Sequence, residues 1–387
     1  MKISSLNTAY LASAVKFAVV APFALFYRVF KKNVWIITER PGQARDNGYV
    51  FFEYLRTRHP EMNAYYIIDK SQPDYNKIKQ YGNVIQFDSW KHYFYYCLSK
   101  VHISAHVNGC KPSDSPICKR LKAPLSIRDV FLPHGVSYGV SEFCLKKYAN
   151  LDLFICSGRR EYENVLKNYG YAENEVVYTG FPRLDKWHDI QVNKKQIVLM
   201  PTWRFYLAQN PDVVFEKTNY FKAYKDLIDN KKLCDFLLSN DLKMVFYLHN
   251  DMRKYTGFFN TECKNIEIVN NDDACDIQEL LKSSAVLITD YSSVHFDFAY
   301  MKKPVLYYQF DKEEFAEKQY SQGLFDTERE GFGKVSYDCD TLVDNLIDSY
   351  KNSFDMSTKY YNRMRMFYEL YDNENCMRVY NEIMKRL

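Results

Sequence analysis

Glycine is scarce in this chain, 13 of 387 residues, and neither G-x-G-x-x-G nor G-x-x-x-x-G-K-[ST] occurs. The first absence excludes the usual dinucleotide fingerprint. The second excludes the P-loop cradle and its lysine. Concentrated charge of one sign is also missing. Lys and Arg number 52 against 48 Asp and Glu, a formal net charge of +4, too even for the basic patch of a nucleic-acid binder. The ten cysteines form no C-x-x-C pair and no zinc-ligand spacing, so buried, reduced thiols are expected rather than a disulfide framework. An unbroken apolar run of about 20 residues, enough to span a bilayer, is missing too. Residues 9–27 come nearest, but Lys16 interrupts them and Pro22 breaks them.

What is present is ample core material. The hydrophobic fraction is 47%, with 34 Tyr and 27 Phe, and the length favours two domains over one. The basic residues Arg28, Lys31 and Lys32 follow the apolar N-terminal run. No small-residue cleavage site accompanies it, which argues against a signal peptide. Residues 1–32 are therefore expected to associate peripherally with the cytoplasmic face of a membrane, cations on lipid phosphates, with a simple core helix or a single-pass anchor as the alternatives.

Beyond residue 32, short β-rich runs alternate with helical ones. Strands are expected over 34–38, 64–68, 84–87, 101–104, 127–132 and 151–156, with helices over 47–58, 90–98 and 159–169. A second series follows: strands over 197–200, 243–249, 266–269, 285–289 and 304–308, and helices over 222–240 and 277–283. The alternation predicts an α/β fold of two facing Rossmann-like domains, 33–185 and 186–340, joined near 180–195. Helical residues 341–387 complete the chain.

In such sheets, ligands bind beyond the carboxyl ends of strands. Four polar motifs fall there: LPHG (132–135), PTWR (201–204), YLHND (247–251) and TDYSS (289–293). In the last, Ser292 or Ser293 suits a helix N-cap, and the free amides beyond it suit a phosphate. His134 is a candidate general base, with Gly135 allowing a ligand close to the backbone. A histidine satisfied by loop carbonyls is the plainer alternative. His249, placed at a strand end, suits donation to a diphosphate, against a merely exposed side chain. Thr202 and Arg204 follow another strand, and arginine forks onto phosphate. Arg183 in GFPRLD has either Asp185 or a ligand as partner. His102 and His106 read as core or loop residues, and the Asp272-Asp273 pair as a solvated turn.

These pieces together resemble the CDP-glycerol glycerophosphotransferase family of teichoic-acid and capsule synthesis. The resemblance rests on ERPGQARDNGYVFFEYL (39–55), PHG (133–135), GFPRLD (180–185), PTWR (201–204), Leu248-His249, LITDYSSVHFDF (287–298) and KPVLYY (303–308). It implies a two-lobed glycosyltransferase-B-type fold and transfer of glycerol phosphate from CDP-glycerol to a hydroxyl of a lipid-linked acceptor, with release of CMP. His134 matches the family's catalytic histidine and His249 the one near the donor diphosphate. Ser292 and Ser293, with Asp290 and Asp297 of the same motif and Thr202 and Arg204, fall to the donor. Where members often carry Gly-Thr, this chain has Gly135-Val136. No obligatory protein-bound metal is expected, with Mg2+ left to assist the diphosphate. CDP-ribitol, or a nucleotide sugar on the same fold, is the alternative donor.

Overall fold

The computed structural model describes residues 3–107, 109–112, 116–137, 139–209, 214–269, 276–319 and 325–387. The chain forms two compact units, one of residues 1–186 with 372–387 and one of residues 187–371.

The first unit is built on seven parallel strands: β1 (Trp35–Thr38), β2 (Ala64–Ile68), β3 (Val84–Gln86), β4 (Val101–Ser104), β5 (Arg128–Phe131), β6 (Leu153–Cys156) and β7 (Val176–Tyr178). Their order in the sheet is β3-β2-β1-β4-β5-β6-β7. Every residue of β1, β2, β4 and β6 is buried, as expected of parallel strands covered on both faces. Thr38 pairs with Ser104, and Ser104 with Phe131, which aligns the carboxyl ends of β1, β4 and β5. The helix α2 (Asn47–Arg58) follows β1.

The N-terminal segment forms the helix α1 (Ile3–Tyr27), which lies against the helix Trp90–Leu98. Phe17 meets Tyr93 and Tyr96 edge-on at 4.8 and 5.8 Å, and Val20 and Ala24 are buried beside it. The opposite face leaves Leu11, Val15, Val19, Phe23, Phe26 and, just past the helix, Phe30 in the open. Among the described residues no helix is long and apolar enough to cross a membrane. Of the basic cluster, Lys32 is exposed, while Arg28 and Lys31 are engaged within the protein. Arg28 donates to the carbonyls of Leu98 (3.2 Å), Leu125 (2.6 Å) and Ser99, and Lys31 to the hydroxyls of Tyr65 and Tyr95. Bonded carbonyls at the end of the 90–98 helix take the place of lipid phosphates for Arg28.

The second unit holds six parallel strands: β8 (Asn193–Leu199), β9 (Lys243–Phe246), β10 (Ile266–Ile268), β11 (Ser284–Thr289), β12 (Val305–Tyr308) and β13 (Gly333–Ser336), in the order β10-β9-β8-β11-β12-β13. This is the doubly wound order of nucleotide-binding sheets. Its core gathers Ile197, Leu199, Met244, Phe246, Val286 and Ile288 with the helices that cover them. The single helix expected over 222–240 is two, Asn219–Ile228 and Lys231–Ser239, because the Asn230 side chain caps the second by accepting from the Leu233 amide at 2.9 Å. Cys234 on that second helix is joined to Cys263 with their Cα atoms 5.6 Å apart. The expectation of reduced thiols therefore fails for this pair, which folding brings together from 29 residues apart.

The edge strands β7 and β13 were not expected from sequence. Both are short, and β13 opens on Gly333, where an added Cβ would sit 1.6 Å from the Val305 carbonyl oxygen. The expected C-terminal segment is divided. Cys339–Lys351 and Thr358–Phe367 belong to the second unit, and Asn375–Met384 returns to the first. There Asp185 accepts from the Asn375 amide and side chain (2.9 and 2.7 Å) and the Cys376 amide (2.9 Å).

Candidate active site

In the first unit, the candidate residues stand on loops at the ends of β1, β4 and β5. His134 lies three residues past β5, with its ring solvent-accessible and stacked on His106 at 5.2 Å between centroids. A hydrogen bond to the Ala105 carbonyl orients that ring. The preceding residue is tied down from elsewhere: Asn47 donates through its side chain to the Pro133 carbonyl at 2.7 Å and accepts from the Arg183 amide at 3.1 Å. One side chain thus joins LPHG to GFPRLD. Surrounding atoms lower the pKa of His134, chiefly by desolvation. Asp46 and the Ala105 carbonyl oppose that shift, while Arg183 and Arg40 add to it. The imidazole is neutral at neutral pH, as a general base requires.

Arg183 is almost fully buried, 1% exposed, and its partner is Asp46 at 2.9 Å. Asp185, one of its two expected partners, is instead occupied by the C-terminal helix.

Two buried carboxyls frame the same loops, and sequence reading missed both. Glu39 accepts from the amides of Arg45, Asp46 and Tyr49 at 3.0, 2.9 and 2.7 Å, serving the start of α2. Glu161 accepts from the Ser137 and Ser157 amides and the Ser157 hydroxyl at 2.7, 2.6 and 2.8 Å. Burial raises each pKa to about 7, with Asp46 adding to the rise at Glu39. Residues 135–139 (GVSYG) also spell the G-x-S-x-G pattern. Among the described residues no strand-to-helix elbow carries it: β5 ends at Phe131, and the next helical residues are Glu142–Cys144.

His102 faces inward. It approaches Asp129 at 3.3 Å and the Ser99 hydroxyl at 2.7 Å, a core role. Asp272 and Asp273 lie outside the described residues.

In the second unit, PTWR and TDYSS are bound to each other by a buried ion cluster. Arg204 is 0% exposed. Its guanidinium reaches Asp290 at 2.8 Å and Asp311 at 2.9 Å, and it donates to the Thr202 carbonyl at 2.9 Å. Tyr220 and Phe315 lie over it at 5.1 and 4.7 Å. Asp290 accepts further from the amides of Thr202 (2.7 Å) and Tyr291 (2.6 Å) and from the Tyr224 hydroxyl (3.2 Å). The expected phosphate clamp is thus an internal staple, because two carboxylates already occupy the guanidinium. Asp290 is likewise spent on the fold, and Asp297 is turned into the buried side of its helix.

The staple carries other groups toward solvent. Ser292 and Ser293 are part-exposed at the start of the helix Val294–Tyr300. Ser293 holds the N-cap position without a side-chain capping bond, contrary to expectation. Among the described residues the two hydroxyls have no intramolecular partner, and the buried Thr202 hydroxyl has none either.

His249 does not end a strand, since β9 stops at Phe246. It caps the turn Asn250–Phe258 with Nδ1 accepting from the Asp251 amide at 3.2 Å, and its ring lies 5.9 Å from Trp203, near parallel. The Asp251 carboxylate also lies 3.4 Å from Nδ1. Among the described residues no three His, Cys, Asp or Glu gather as metal ligands.

The family model described as CDP-Glycerol:Poly(glycerophosphate) glycerophosphotransferase matches residues 19–385. GgaB, a minor teichoic acid biosynthesis protein of Bacillus subtilis (strain 168), is 32% identical over 96% of this chain and 42% of its own length. The teichoic acid poly(glycerol phosphate) polymerase of the same organism is 26% identical over 79% of this chain and 42% of its own length. The chain therefore spans less than half of either relative. A solved structure of the wall teichoic acid polymerase TagF superimposes with a TM-score of 0.66 at 15% identity, over 100% of this chain and 98% of that one, a likeness of fold. The chain belongs to the CDP-glycerol:poly(glycerophosphate) glycerophosphotransferase family.

Proposed function

We propose that this chain is a phosphotransferase that moves glycerol phosphate from CDP-glycerol to a hydroxyl of a lipid-linked acceptor, releasing CMP, in teichoic acid or capsule polymer synthesis. The observation that carries this reading is His134: a solvent-accessible imidazole, held neutral, at the motif that the family match covers. In the reaction the acceptor oxygen forms a bond to the phosphorus next to glycerol. The bridging P–O bond breaks, and CMP leaves with its electron pair. His134 takes the acceptor proton. The developing charge needs donors set in advance. The hydroxyls of Ser292, Ser293 and Thr202 and the imidazole of His249 have the chemistry for that task. Arg204, Asp290 and Asp311 act indirectly by holding the loops that carry them.

Mass analysis of the products from CDP-glycerol and a lipid-linked disaccharide tests the proposal. Increments of one glycerol phosphate are expected, with CMP released. Release of UDP from a UDP-sugar, without CMP from CDP-glycerol, would overturn it. CDP-ribitol is kept as an alternative donor, since a teichoic acid poly(ribitol-phosphate) polymerase of Bacillus spizizenii is 26% identical over 45% of this chain.

The proposal extends to location at the cytoplasmic face of the membrane. Its support is α1, docked by one face and leaving an apolar stripe on the other. With Arg28 and Lys31 engaged internally, apolar insertion rather than lipid phosphate carries the attachment.

A further inference from the structure

Thr38, Ser104 and Phe131 are paired across three adjacent strands, and Arg40, His106 and His134 stand just past them. The bonds Ala105 N–H to Thr38 O (3.3 Å) and Leu132 N–H to Ser104 O (2.9 Å) continue the ladder into these loops. Arg40 opens a tight turn in which its carbonyl accepts from the Gln43 amide at 2.9 Å.

The neighbouring arginines are committed. Arg45 is paired with Asp74 at 2.7 Å, and Arg183 with Asp46 at 2.9 Å. Arg40 is exposed, and among the described residues its side chain makes no ion pair or hydrogen bond. Its charge lowers the pKa of both His106 and His134, at His134 against the opposing charge of Asp46, so it is felt at both rings. An arginine is wide, planar and permanently charged, and a phosphate oxygen pair is its natural partner.

We propose that Arg40 is a specificity residue that binds a phosphate carried by the acceptor, close to the hydroxyl presented to His134. This deepens the reading of the site as a glycerol phosphate transferase and rests on it. One transfer leaves a glycerol phosphate end, which offers a free hydroxyl and a phosphate within the same three-carbon unit. Such an end fits the pair Arg40 and His134. A neutral sugar hydroxyl engages only the imidazole. The site is therefore suited to extending an end that already bears phosphate.

The test titrates the full chain with sn-glycerol 3-phosphate and, in parallel, with glycerol and with CMP. Calorimetry gives affinity. The Cε1–H resonances of His106 and His134 in 13C-histidine-labelled protein, assigned through His106→Gln and His134→Gln, give location. Binding of glycerol 3-phosphate is expected to move both resonances and raise both imidazole pKa values, since a bound dianion offsets the Arg40 charge. The other groups acting on these rings are Asp46, Arg183 and the Ala105 carbonyl. Arg40→Gln is expected to weaken glycerol 3-phosphate at least tenfold, Arg40→Lys less, with the thermal transition retained. Equal affinity in wild type and Arg40→Gln overturns the inference. So does an Arg40-dependent shift caused by CMP but not by glycerol 3-phosphate, which would assign Arg40 to the donor. CMP release from CDP-glycerol is followed separately. Its absence removes the transferase reading while leaving the phosphate result intact.

Discussion

The rings of His106 and His134 stack with centroids 5.2 Å apart and planes 28° from parallel. Burial, with help from His134 and Arg40, lowers the His106 pKa to about 4. His106 therefore stays neutral across the working pH range and confines its neighbour. His134→Ala is expected to slow CMP release by about a hundred-fold or more, the usual loss of a general base. His106→Gln is expected to cost about tenfold, because orientation is lost while the base remains. Single-turnover CMP release measures both, and near-normal turnover in His134→Ala would remove that residue from the mechanism.

The acid limb of the pH profile follows from the same ring. A base is active when unprotonated, so activity is lost as pH falls through its pKa. That pKa is lowered from 6.5, chiefly by desolvation. The acid limb of kcat/KM is expected below pH 6.5. Asp46→Asn removes the opposing charge at the ring, so the limb should move lower still. A limb moving upward would show that Asp46 acts otherwise.

Arg204 distinguishes a structural staple from a ligand clamp. Arg204→Met leaves Asp290 and Asp311 buried without their cation, a loss of about 3–5 kcal/mol in stability. The urea midpoint should fall sharply. A variant with unchanged midpoint and abolished CDP-glycerol affinity would restore the arginine to the ligand. Ser292→Ala is the converse case, with weaker donor binding in calorimetry and an unchanged midpoint.

Glu39 and Glu161 shape stability against pH. Their folded pKa values of about 7 lie above the ordinary glutamate value of 4.5. The protonated forms are favoured in the fold, so their contribution is full below about pH 4.5 and is lost as pH rises through about 7. For Glu161 a shift of that size corresponds to on the order of 3 kcal/mol. Urea midpoints taken across this window should decline. Glu161→Gln should flatten the decline, and an unchanged slope would contradict the assignment.

The two faces of α1 separate folding from attachment. Phe17→Ala opens a cavity against Tyr93 and Tyr96 and should cost about 3–5 kcal/mol. Glu at Phe23, Phe26 and Phe30, all more than 60% exposed, should leave the thermal transition in place and prevent sedimentation with anionic vesicles. Undiminished sedimentation would end the membrane reading of this helix.

The sheets were legible because buried parallel strands are short apolar runs with polar residues at their carboxyl ends. That rule located LPHG, PTWR and TDYSS. It failed where the edge strands Val176–Tyr178 and Gly333–Ser336 are too short to stand out. Partners were harder to read than positions. Arg204 beside a strand end looks the same in sequence whether it faces a phosphate or Asp290, 86 residues later. Arg183 pairs with Asp46 rather than with Asp185, two residues away. Glu39 carried a faint signal, an acid shortly before the start of α2. Glu161 carried none, since its amide donors come from two separate loops.

The three bonds from Asp185 to Asn375 and Cys376 staple together the two places where the chain changes units, after Lys186 and after Tyr371. Topologically, residues 187–371 are a cassette, one continuous length inserted between neighbours in space. Excising that cassette and closing the gap preserves every tie within the remaining body. Trimming the last sixteen residues instead strips the first unit of a helix that no other stretch of sequence replaces.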